Sequence, residues 1–163
     1  MSSFDAIMQR LQAVSPFNLN YVSPNGEALP WWEIDSNLLL EDLVLSDLDL
    51  DGQVQTLALR IGFWGRLCAQ AKRIWEIKER EYRIWKARYY IIYREDETKR
   101  TEKEIDSLIR LKPEYTSLYN DVEKAEEVYN ILTAVVEAWR VKKDIVKTAV
   151  YRRSTEDGSK LSI

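Results

Sequence analysis

The 163-residue chain contains no histidine. Triads, zinc sites and proton shuttles built on imidazole are excluded. A single cysteine excludes internal disulfides and cysteine-rich metal sites. With only 5 glycines and 4 prolines, long loops must be few. No run of about 18 apolar residues occurs, so no transmembrane helix is expected. The N-terminus is acidic and has no charged-then-apolar leader, so no signal peptide is expected and the cytosol is the simplest compartment. Gly62 and Gly65 lie inside a helical pattern and no Gly-Lys-Ser/Thr follows them, so there is no phosphate loop. Asp47, Asp49 and Asp51 precede Gly52, but the glutamate that closes an EF-hand is missing. Neither catalysis nor a metal or cofactor is expected.

What is present is charge, and it is segregated. Residues 1–51 carry one basic side chain, Arg10, against nine acidic ones. Residues 60–94 carry ten basic against three acidic, residues 95–137 six against twelve, and residues 138–163 seven against three. The net charge of -3 hides this pattern. Such a chain either binds a polyanion or pairs its own blocks.

Apolar periodicity gives the fold class. Every third then fourth residue from Val54 is Leu57, Ile61, Trp64, Cys68, Ala71, Trp75, Lys78, Tyr82, Trp85, Tyr89 and Ile92. This is the heptad seam of packed helices, interrupted only by Lys78. A second stripe runs beside it through Leu67, Ile74, Ile77, Ile84 and Ile91. The charged run Arg94 to Arg100 ends the seam. Thr101 with Glu104 reads as a capping box for a helix from Glu102 to about Leu111. Pro113 suits the first turn of the next helix. There the seam returns at Tyr115, Leu118, Val122, Ala125, Tyr129, Leu132, Val136, Trp139, Lys143, Val146 and Val150. Lys78 and Lys143, the only seam charges, are candidates for setting register or copy number.

The expected fold is therefore all-α: two long helices joined by a short helical segment, forming a multi-helix bundle in a homo-oligomer. Two such wide apolar faces cannot be buried on each other alone. Tyr115, Leu118, Val122, Tyr129, Leu132, Val136, Trp139 and Val146 are the expected self-association residues. Residues 1–46 read as an irregular acidic arm, although Ser3 is a candidate cap for a short helix bearing Phe4, Ile7, Met8 and Leu11 on one side. Pro16, Pro24-Asn25-Gly26 and Pro30 break that arm repeatedly. Residues 47–153 are the helical domain, and residues 154–163 a frayed tail.

The candidate binding residues lie between Lys72 and Arg94. Lys72, Arg73, Arg80, Arg83, Lys86, Arg88 and Arg94 interleave with aromatic side chains. Phosphates attract such rows by releasing counterions, and bases of single strands stack on Tyr, Trp and Arg planes. Tyr90 and Tyr93 are the better stacking candidates, because most other aromatics fall on the seam. The competing reading is a coiled-coil flank whose arginines cover apolar surface and pair with acids. Lys142, Lys147, Arg152 and Arg153 belong to a second basic cluster, whose plain role is to favour a helix C-terminus. A membrane-surface helix is a weaker reading, because the apolar face is too continuous and too well matched between the two helices.

The run Lys86-Ala87-Arg88-Tyr89-Tyr90-Ile91 resembles the UvsY-type phage recombination mediators, with Tyr-Tyr one residue early. The similarity covers roughly residues 50 to 153. It includes the charged break and a last helix ending in Lys142-Lys143, Lys147 and Arg152-Arg153. The resemblance implies a ring-like homo-oligomer that binds single-stranded DNA. Its role would be to help load a recombinase onto DNA covered by single-strand binding protein. It places DNA contacts at Lys86 and Arg88 and assembly on the seam from Tyr115 to Val150. The acidic arm would then compete with DNA, so that deleting residues 1–46 tightens binding at low salt. The alternative is a structural assembly or adaptor protein, scaffold-like, with no DNA role.

Overall fold

The computed structural model describes residues 3–14, 20–23, 26–45, 50–96 and 98–160. Pro16, Pro24, Asn25, Asp47, Asp49, Glu97, residues 161–163 and the side chain of Ser3 lie outside the described part. The chain is mostly helical: α1 Ser3–Val14, α2 Ser36–Leu43, α3 Leu50–Glu95, α4 Glu102–Arg110 and α5 Pro113–Lys160. A two-stranded antiparallel hairpin, β1 Asn20–Val22 with β2 Ala28–Pro30, pairs Tyr21 with Leu29. It runs into a 3₁₀ turn at Trp31–Glu33.

The capping box and Pro113 act where the sequence places them. Thr101 Oγ1 accepts from Glu104 N at 3.3 Å, while Glu104 Oε2 accepts from Thr101 N at 2.7 Å, closing the capping box. Pro113 opens α5, where its missing N–H leaves no bond unmade. Asp35 caps α2 by accepting from Leu38 N at 2.8 Å. In the hairpin turn Gly26 takes φ 83°, a left-handed conformation that glycine adopts without a Cβ penalty. Its N–H donates to Ser23 O at 2.9 Å. At the other end, α5 runs on through residues 154–160, where the sequence predicted a frayed tail.

Two compact units divide the chain: Met1–Cys68 with Ile131–Ile163, and Ala69–Asn130. In the first, the N-terminal residues are not an irregular arm. Phe4, Ile7, Met8 and Leu11 of α1 are buried, as are Tyr21, Trp31, Ile34 and Leu39. Phe63, Trp64 and Leu67 of α3 and Leu132, Trp139 and Val146 of α5 are buried in the same unit. The Phe4 and Trp64 rings lie 6.2 Å apart, and Tyr21 sits 5.2 Å from Phe63, edge to face. Ser36 N donates to Asp5 Oδ1 at 3.0 Å, tying α1 to the start of α2. The spacing of Phe4, Ile7, Met8 and Leu11 already marks the buried side of α1. The hairpin is too short to declare its own by periodicity, and burial of Tyr21 against Phe63 of α3 decides it.

The second unit is built differently. Among the described residues, only Ala71, Ile105, Ile109 and Val128 are buried apolar residues there. Ile105 and Ile109, one turn apart, are the inward side of α4. Beside them runs a ladder of rings, half-buried except for the exposed Tyr119. Trp75 stacks on Tyr129 at 5.5 Å, Tyr115 on Tyr119 at 5.8 Å, and Trp85 lies 5.0 Å from Tyr89 and 6.3 Å from Tyr115. Burial first, then hydrogen bonding to Tyr115, pushes the Tyr82 hydroxyl up to about 12.

Candidate nucleic-acid interface

The basic residues of α3 fall into two sets. One set is already paired. Lys72 faces Glu76 at 3.9 Å, Arg83 meets Glu79 at 2.5 Å, and Lys86 reaches Asp106 of α4 at 2.7 Å. Lys78, the seam lysine, contacts Glu81 at 3.0 Å and Asp121 of α5 at 3.8 Å. Its charge is met within the same chain. The hydrogen bond from Lys86, ahead of the weaker pull of Arg110, holds the Asp106 carboxyl below the usual aspartate range. Thr101 does the same for Glu104 through the capping box.

The other set is Arg73, Arg80, Arg88 and Arg94. All four are exposed, and none has an ion-pair partner among the described residues. Their placement is regular. Arg73, Ile77, Arg80, Ile84, Ala87, Ile91 and Arg94 follow a strict four–three alternation. This is a second heptad row, lying on the side of α3 opposite Trp75, Tyr82 and Tyr89. Its isoleucines are uncovered: Ile77 is 40%, Ile84 48% and Ile91 53% exposed. The sequence shows both the isoleucine stripe and the off-seam arginines. It does not show that the two share one solvent-facing row, because that depends on which side of α3 the ladder occupies.

The tyrosines expected to stack on bases are otherwise engaged. Tyr90 is half-buried and donates to Glu102 Oε1 at 3.4 Å. Tyr93 lies beneath two cations, with Arg100 5.5 Å and Lys112 5.6 Å from its ring centre. Interaction with Tyr93 raises the Lys112 pKa.

The second basic cluster is also divided. Lys147 and Arg152 are exposed, without ion-pair partners among the described residues, and Arg153 lies 4.0 Å from Asp51. Lys142 is buried, so its placement on a DNA surface is corrected. Its Nζ donates to the carbonyl oxygens of Asp42 at 2.5 Å and Val44 at 3.2 Å, closing the C-terminal end of α2. Beside it, Arg60 forms an ion pair with Asp42 at 2.6 Å, and both side chains are nearly buried. Tyr21 donates its hydroxyl proton to the same carboxylate, and the Arg60 guanidinium lies 4.2 Å from the Tyr21 ring centre. Burial first, then Asp42, pushes the Tyr21 pKa far above its ordinary value. The sequence did not single out this cluster, and no local spacing links residues so far apart.

The residues expected to assemble copies are distributed in the same way. Leu132, Trp139 and Val146 are buried inside the first unit, and Val136 is half-buried there. Tyr115, Leu118, Val122 and Tyr129 are half-buried in the second unit, with Tyr115 and Tyr129 in the ring ladder. Cys68 is half-buried with its Sγ 3.5 Å from Thr133 Oγ1. Among the described residues no helix is long and apolar enough to cross a membrane, and no cluster of three metal-ligating side chains occurs. The chain matches no family model, no curated protein and no solved structure.

Proposed function

We propose that the chain binds single-stranded DNA as a homo-oligomer. In that role it acts as a recombination mediator that helps load a recombinase onto DNA covered by single-strand binding protein. The observation that carries the DNA part is the set of four exposed arginines on α3 with no ion-pair partner among the described residues. A guanidinium that is not spent on an internal pair is available to phosphate, where it releases a condensed counterion. The mediator part rests on the resemblance of the run from Lys86 to Ile91.

Fluorescence anisotropy with labelled single-stranded DNA across a salt series tests this reading. Affinity falls steeply with salt. Arg88→Ala with Arg94→Ala weakens binding and lowers the logarithmic salt slope by about 1.4 for a single strand. These are better probes than Lys86, whose loss also breaks the contact to α4. No binding even at low salt overturns the proposal. A second reading, a helical assembly protein without a DNA role, is favoured by the exposed isoleucines between the arginines. Under it, the particle is multi-copy and indifferent to DNA.

A further inference from the structure

We infer that the arginine–isoleucine row of α3 is a docking seam for the α5 surface of a second copy, packed front to back. The inference rests on the homo-oligomer part of the proposed function and names its contact.

The apolar content of the row is out of place on a surface that only binds phosphate. Ile77, Ile84 and Ile91 recur every seven residues, so they keep to one side of a helix and form a continuous column. A phosphate backbone has nothing to offer that column. A second helix does. A two-fold pairing of the row centred on Ile84 would set Arg73 and Arg80 against Arg94 and Arg88, whereas an acidic heterologous surface answers their charge.

The same unit carries such a surface. On α5, Tyr119, Glu123, Glu126 and Asn130 are exposed and again alternate by four and three. Tyr119 is 40% exposed and supplies apolar area, while Glu123 and Glu126 supply charge opposite to Arg73 and Arg80. Both rows come from the unit spanning Ala69–Asn130. Each copy therefore has one basic and one acidic helical row at the same spacing. Front-to-back packing satisfies both and repeats from copy to copy. The row from Tyr119 to Asn130 matches the length of the stretch from Arg73 to Ile84, so Arg88 and Arg94 lie beyond the docked stretch and stay available to DNA.

Charge reversal in the full-length chain tests this. One variant carries Arg73→Glu and Arg80→Glu, and the other Glu123→Lys and Glu126→Lys. All four positions are exposed, and unchanged helical circular dichroism confirms that each variant folds. Each alone loses the multi-copy mass seen by light scattering. An equimolar mixture regains it, because copies then alternate and every junction joins unlike charges. Ile84→Asp in both partners abolishes that recovery. If the parent assembles but the lysine variant keeps its mass, or the mixture stays apart, this docking is wrong while self-association stands. A single-copy parent overturns both. Arg88→Ala with Arg94→Ala keeps the parent mass whatever its DNA affinity, which separates assembly from DNA binding.

Discussion

The Nζ of Lys142 lies 2.5 Å from the backbone oxygen of Asp42, one hundred residues earlier in the chain. The bond joins the end of α2 to the middle of α5 and takes one cation out of the basic cluster. Burial, reinforced by the charge of Arg60 and opposed by that of Asp42, lowers the Lys142 pKa.

Replacing Lys142 with Met leaves the carbonyls of Asp42 and Val44 without their donor. Thermal or urea unfolding is expected to show a loss of about 1–3 kcal/mol, the cost of buried unsatisfied acceptors. Single-stranded DNA binding by the folded variant keeps the parent salt slope. The sign of the pH effect follows from the lowered pKa. The unfolded chain binds this proton more tightly, so the parent gains stability as pH rises from the lowered value toward the ordinary value of about 10.4. Lys142→Met removes that gain.

Asp42→Asn strips the buried Arg60 of its counter-charge. Removing one member of a buried pair costs about 3–5 kcal/mol, and here the Tyr21 hydrogen bond weakens as well. Denaturant unfolding measures the loss. A variant as stable as the parent contradicts the burial of the pair.

Deleting residues 1–46 is expected to expose Trp64 and Phe63 rather than to tighten DNA binding. The N-terminal segment supplies Phe4, Ile7, Met8, Leu11, Tyr21, Trp31, Ile34 and Leu39 to the first unit's core. Each fully buried large apolar side chain contributes about 1.5–3 kcal/mol. The truncated chain should lose cooperative unfolding and bind a hydrophobic dye. A cooperative, soluble truncation product with tighter DNA binding at low salt would instead restore the competing-arm reading.

Acid weakens the second unit through Asp106. Its pKa is lowered in the fold, so its contribution is present above the ordinary aspartate value of about 3.9 and is lost as pH falls through the lower folded value. Asp106→Asn is therefore less stable than the parent at pH 7. The difference between their melting temperatures closes as the pH is taken toward 2. A difference that persists at low pH assigns the effect to packing rather than to the ion pair with Lys86.

The sequence by itself determined the two long helices, the short helix between them and the ends that meet at that joint. The spacing from Val54 to Ile92 and from Tyr115 to Val150, the Thr101–Glu104 box and Pro113 act within a few residues of themselves, and such effects leave a local record. It also determined which side of each long helix is apolar. Tertiary structure alone decided what covers those sides and which charges remain free. The spacing of Phe4, Ile7, Met8 and Leu11 marks an apolar side of α1, but not what covers it, and the hairpin and turn bearing Tyr21 and Trp31 are too short to carry a period. Lys86, Lys142 and Arg88 look alike in the sequence. Their fates differ because Asp106 reaches the first, two carbonyls at the α2 terminus accept from the second, and the third has no ion-pair partner among the described residues. Charge pairing over long sequence separations depends on where folding brings the partners, and composition does not carry that information.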